Sequence, residues 1–148
     1  MFWSKKIKKI YDDSFLARNL SKNFFDKTGP VHYIIYVKNM GHGFFSNFYH
    51  VLFHIAIADF YNWIPVVDMK NFPSLYNEKK KIFSTYNAWE YYFKQIKSLD
   101  SLNFNKDKII YSDGNFPHDI FKKYYGNENF FYDIFIKYIS INKNITDQ

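Results

Sequence analysis

Cysteine is absent from the 148 residues, which excludes disulfides and thiolate metal ligands. Arginine is nearly absent: Arg18 is the only one among twenty basic residues. Bidentate grip on phosphate or a base edge leans on the planar guanidinium, which lysine cannot imitate. The chain is therefore read as generally attractive to anions, with no specific nucleic-acid site. No apolar run approaches the roughly 20 residues of a membrane span. The basic stretch from Met1 to Tyr11 is followed by no continuous apolar core, so a signal peptide is not expected. Cytoplasmic residence, peripheral to an inner membrane at most, is the expectation.

What is present suits one domain of ordinary size. Hydrophobic residues make up 47% of the chain, with eighteen Phe and fourteen Tyr, ample for a core and far from the composition of a disordered segment. Abundant Lys, Asn, Ile, Phe and Tyr also follow from an AT-rich genome, so aromatic richness alone is no binding signal. The formal charge of +6 favours anionic partners.

Trp3, Ile7, Ile10 and Tyr11 fall at helical spacing, interleaved with Lys5, Lys6, Lys8 and Lys9. That pattern predicts a basic helical extension over residues 1–29, either packed on its own domain or in peripheral contact with an anionic membrane. Residues 30–148 are expected to form a Rossmann-like α/β domain. In it, 31–38 is a β-branched and aromatic strand, followed by a glycine loop. A helix over 45–61 shows Phe48, Leu52, Ile55 and Ala56 on one face, with Phe45 and Phe60 near its ends. A second short strand covers 64–68. Strand, glycine loop, helix and strand make a βαβ unit, whose strands run parallel. Further helices are expected over 86–96, from Pro117 to Gly126, and after a capping Asn129, with Phe131, Ile134, Phe135 and Tyr138 turned inward. A third strand is expected over 108–112. The fold class is thus α/β, a three-layer domain with a short parallel sheet.

Ligands of such sheets bind beyond the carboxyl ends of the strands. There Gly41 and Gly43 permit close backbone approach, the following helix offers free N–H groups, and His42, Ser46 and Asn47 add hydrogen-bonding side chains. The same loop approaches a dinucleotide fingerprint, with Asp68 where a ribose-binding acid would stand. Phe44 and Phe45, however, crowd the turn and Ser46 replaces the third small residue. His50 and His54 sit four apart on the helix without a third metal ligand, so hydrogen-bonded imidazoles are the simpler expectation. In the run Tyr86-Asn-Ala-Trp-Glu-Tyr-Tyr-Phe93, aromatics stand beside an amide and a carboxylate, the groups that hold sugars. Glu90 can serve as a base if burial raises its pKa. An amphipathic helix with Glu90 outward fits the same composition.

Gly41-His-Gly-Phe-Phe-Ser-Asn47, Ile64-Pro-Val-Val-Asp-Met69, Tyr76-Asn77-Glu78, the 86–93 run, Ile109-Ile-Tyr-Ser-Asp-Gly114 and Tyr138-Ile-Ser-Ile-Asn-Lys143 together carry a resemblance. They resemble the N-terminal half of bacterial GT-B glycosyltransferases of surface-polysaccharide (lipopolysaccharide and capsule) synthesis, similar in turn to the α-1,6- and protein O-fucosyltransferases. The resemblance spans roughly residues 30–145. It implies a metal-free enzyme with no cofactor, whose first domain contacts a glycan acceptor. A second domain, opening with a His-x-Arg motif, holds a nucleotide-sugar such as GDP-fucose. No such motif occurs here, so the chain is expected to be inactive alone and to need a donor-domain chain.

By position, the implied acceptor contacts are Gly41, His42, Gly43, Ser46, Asn47, Asn87 and Trp89, and the implied catalytic groups are Glu90 and Asp68. His42 and Asn47 stand where the fucosyltransferases often carry Arg or Asn-Gln, which leaves the donor open. Two rival readings stand: a non-catalytic basic module for acidic lipid or nucleic acid, and a dinucleotide-binding domain.

Overall fold

A computed structural model describes residues 19–38, 42–115, 118, 122 and 126–147. The basic run through Lys5, Lys6, Lys8 and Lys9, residue Gly41 and most of the helix expected after Pro117 lie outside the described residues.

Three parallel strands form the sheet: β1 (Val31–Ile35), β2 (Ile64–Val67) and β3 (Lys108–Tyr111), in the order β2-β1-β3. β1 is central, with His32 opposite Ile64 on one side and Ile109 on the other. A buried parallel strand reads as an unbroken apolar run because both of its faces are covered. Tyr33 and Ile35 enter the larger core with Val67 and Ile110, whereas Ile34 turns to the opposite face with Val66 and Ile109.

α1 (Phe44–Phe60) covers the first face and links β1 to β2, as the βαβ pattern predicts. It is buried on nearly every side, not along a single stripe, with each residue from His50 to Ala58 buried. The sheet lies on one flank; on others Phe53 meets Phe131 and Phe48 stacks on Trp89. A helix that is apolar all round must be enclosed in this way. Phe45, near the helix end as expected, is 73% exposed in the first turn. On the second face the cover is a 3-10 turn, Leu99–Ser101, with Leu99 and Leu102 set against Ile34 and Val66.

Several elements are shorter than their sequence pattern. β1 ends at Ile35 because side chains take over the next residue: Tyr36 N–H donates to Ser112 Oγ and its carbonyl accepts from His50 Nε2. The helix expected over 86–96 is α2 (Ala88–Tyr92) alone. There the chain turns extended, pairing Phe93 with Ile141 while Lys94 N–H donates to the Ser140 carbonyl. The next helix, α3 (Glu128–Tyr138), is capped by Asn127, not Asn129: the Asn127 side chain accepts from Phe130 N–H. On α3 Ile134 is buried and Phe131 and Tyr138 are half-buried, but Phe135 is 42% exposed. A last turn, α4, spans Lys143–Thr146.

Part of the segment before Gly29 belongs to this body. Leu20 bridges to Ile110, and Ser21 N–H donates to the Ile109 carbonyl along the free edge of β3. Among the described residues no helix is long and apolar enough to cross a membrane.

Candidate functional site

The chain leaves β1 for β2 on one side, then returns across β1 to β3 on the other. At such a reversal the connections diverge and open a crevice at the carboxyl ends of the strands. A cavity of about 390 Å³ lies there, lined by Val37 and Lys38 after β1, Gly114 and Asn115 after β3, His42, Ser46 and His50 at the start of α1, and His118.

Each wall follows from local chemistry. Gly114 has φ +70, and a Cβ on it would stand 2.4 Å from the Tyr36 ring and 2.6 Å from Lys38 Cγ, so only glycine fits. That approach lets Lys38 N–H donate to the Gly114 carbonyl at 3.0 Å, joining the two loops. Gly43 is the N-cap of α1 without a side-chain cap. Over that helix start His42 Nδ1 lies 3.1 Å from Ser46 Oγ, and the Asn47 amide donates to the His42 carbonyl at 3.4 Å. The imidazole of His42 is thus held at the exposed mouth of the cavity.

His50 lines the floor, and His54 lies buried behind it. Their rings are 4.7 Å apart and both are buried. His50 Nε2–H donates to the Tyr36 carbonyl at 2.9 Å. His54 Nε2–H donates to the Asn115 carbonyl, and its Nδ1 accepts from the Tyr33 hydroxyl at 2.9 Å. Through these bonds both rings pin α1 to the loops after β1 and β3. Burial drives their pKa values down, to about 3 for His50, with neighbouring His54 adding to the effect, and to about 4 for His54. Among the described residues no group of three or more His, Cys, Asp or Glu is placed to hold a metal ion.

The residues singled out in the sequence separate into distinct places. His42, Gly43 and Ser46 lie at the crevice. Asn47 turns inward and, with Trp89, lines a small aromatic pocket that includes Phe44, Phe48, Tyr76 and Tyr92. Asp68, expected as a catalytic carboxylate, is 2% exposed and bound to its own loop, accepting from Lys70 N–H, Asn71 N–H and the Asn71 amide. Asn87, expected to contact substrate, is 1% exposed and bridges the Met69 N–H and the Val67 carbonyl. Trp89 is buried between Phe48 and Phe93. Glu90 faces a second cavity of about 490 Å³, with Lys94, Gln95, Asn142 and Lys143. Its carboxyl accepts from Thr85 Oγ1, and burial raises its pKa.

Lys38, Gly114, Asn115 and His118 complete the crevice without having been marked individually. Their signal was positional, since the loops after the first and third strands are where this sheet type binds.

Fold and crevice together define a small α/β domain with a polar crevice at its topological switch point. No protein-family model, no curated protein and no solved structure matches the chain.

Proposed function

We propose that the chain is the acceptor-side domain of a glycosyltransferase, and that the crevice between β1 and β3 receives a sugar hydroxyl. The observation that carries this reading is the crevice itself. It sits at the switch point and offers neutral donors and acceptors, with Lys38 as its lysine. Such a lining suits a polyhydroxylated ligand better than a diphosphate, whose charge needs concentrated cations. The fucosyltransferase-like motifs of the sequence point the same way.

His42 is the group suited to remove the acceptor proton, because neither Asp68 nor Glu90 lines this crevice. With Nδ1–H donating to Ser46 Oγ, Nε2 is free to accept the hydroxyl proton. The acceptor oxygen then bonds to the anomeric carbon of the nucleotide-sugar, while the bond from that carbon to the diphosphate breaks and its electron pair leaves with the phosphate. Stabilising that leaving group falls to a donor-binding domain acting with this one. The buried, self-bonded Asp68 is poorly placed to take a ribose hydroxyl, so the dinucleotide reading is not favoured.

Isothermal titration of this chain with GDP-fucose is expected to give no binding, and addition or fusion of a donor-binding domain is expected to give transfer. In that assembly His42→Ala should lower kcat by about 10²- to 10⁴-fold, the usual size of a lost general base. Tight GDP-fucose binding by the chain alone would contradict the proposal.

A further inference from the structure

The segment after β2 forms a closed lobe that the crevice does not use. Asn77 ties it shut: its amide donates to the Met69 carbonyl at 2.5 Å and to the Tyr86 carbonyl at 3.0 Å, joining the two ends of the loop. Its Oδ1 accepts from Ser74 N–H at 2.6 Å, fixing the middle. Phe72 stacks on Tyr36 with ring centroids 4.0 Å apart, which sets the lobe beside the loop that lines the crevice.

The outer surface of this lobe is apolar and basic at once. Leu75 is 65% exposed, Phe83 39% and Tyr86 44%, and Lys79, Lys80 and Lys81 are all exposed. Lys81 Nζ lies 5.6 Å from the Tyr86 ring centroid. Phe83 stands at the tip of a two-residue turn, with Ile82 and Thr85 exchanging both backbone hydrogen bonds. Phe83 and Ser84 both hold left-handed backbone, φ 47 and 68, where turns of this kind ordinarily use Asn-Gly. A bulky aromatic is thus held at a costly, solvent-facing position beside three lysines.

We propose that this lobe docks on an anionic lipid bilayer, with Leu75 and Phe83 entering the interface and Lys79 to Lys81 pairing with acidic headgroups. Charge complementarity selects an anionic surface, since Glu78 is the only acid between residues 71 and 86. The apolar side chains select lipid over nucleic acid: an exposed leucine gains little from a phosphate backbone but partitions favourably into an acyl boundary. Docking in this way brings the neighbouring crevice to the membrane surface.

The test is co-sedimentation of the full chain with vesicles of phosphatidylcholine alone or with 30% phosphatidylglycerol. Binding only to the anionic vesicles is expected. It should weaken roughly a hundred-fold in Lys79→Gln/Lys80→Gln/Lys81→Gln and about tenfold in Phe83→Ser, with the circular dichroism of the wild type retained. Equal binding to both vesicle types would overturn the proposal. So would binding that survives these changes yet disappears when Lys5, Lys6, Lys8 and Lys9 become Gln. Retention of an oligonucleotide without retention on vesicles would also overturn it, in favour of a nucleic-acid surface.

Discussion

At the scale of single residues, polar side chains buried around the crevice hold the backbone and leave little free for chemistry. His54 serves two partners at once, and His54→Leu removes the bonds to both the Tyr33 hydroxyl and the Asn115 carbonyl from a fully buried position. Denaturant unfolding should register a loss of about 2–4 kcal/mol. Asn87→Ala removes the bridge between Met69 N–H and the Val67 carbonyl and should cost about 2 kcal/mol by the same measurement. The histidine pair also sets an acid limit. Both pKa values lie below the ordinary value of 6.5, so in the interval beneath 6.5 the unfolded chain takes up protons that the folded chain refuses. Stability therefore falls as pH drops from about 6.5 toward 3, by roughly 1.4 kcal/mol per pH unit for each imidazole that must charge. Urea unfolding between pH 7 and 4 checks it, and His50→Gln should flatten the slope.

At the scale of elements, strand and helix identities were readable and their ends were not. Val31–Ile35 and Ile64–Val67 are enclosed on both faces, and an enclosed strand shows itself as a short run rich in β-branched and aromatic residues without polar alternation. Where β1 stops depends on His50 and Ser112 reaching Tyr36 from 14 and 76 residues away, which no local pattern encodes. The shortening of α2 has the same origin, because Ser140 and Ile141 compete for the chain at Phe93 and Lys94. Local signals do better where the partner is local, as with Asn127 and Phe130 N–H, although two nearby asparagines made the choice of cap ambiguous. After β3 the chain is tightly constrained at Gly114. Gly114→Ala must displace the Tyr36 ring and Lys38 while straining a left-handed backbone. A loss of about 2 kcal/mol is expected in thermal unfolding, together with a narrowed crevice.

At the scale of the whole molecule, the order β2-β1-β3 decides where binding can occur, and the sequence-level expectation that loops at the strand ends form the site followed from that general rule. The βαβ pattern could announce two neighbouring strands but not on which side of β1 the third would lie. Without that, residues from the 86–93 run could be imagined facing His42. The structure instead sends Asn87 and Trp89 into the interior and Glu90 to a separate cavity. Types of side chain were thus legible, and their joint placement was not, because burial of Asp68 and Asn87 is decided by loops that close over them.

On the proposed reading, the crevice between β1 and β3, with His42 at its mouth, binds neutral saccharide. The most direct measurement is saturation-transfer NMR of the full chain with lactose, maltotriose and chitotriose, repeated on His42→Ala. At least one of these sugars is expected to bind, weakened about tenfold or more in the variant, the size of one lost hydrogen bond. Saccharide binding that is indifferent to His42→Ala, or no binding of any of the three, would contradict it.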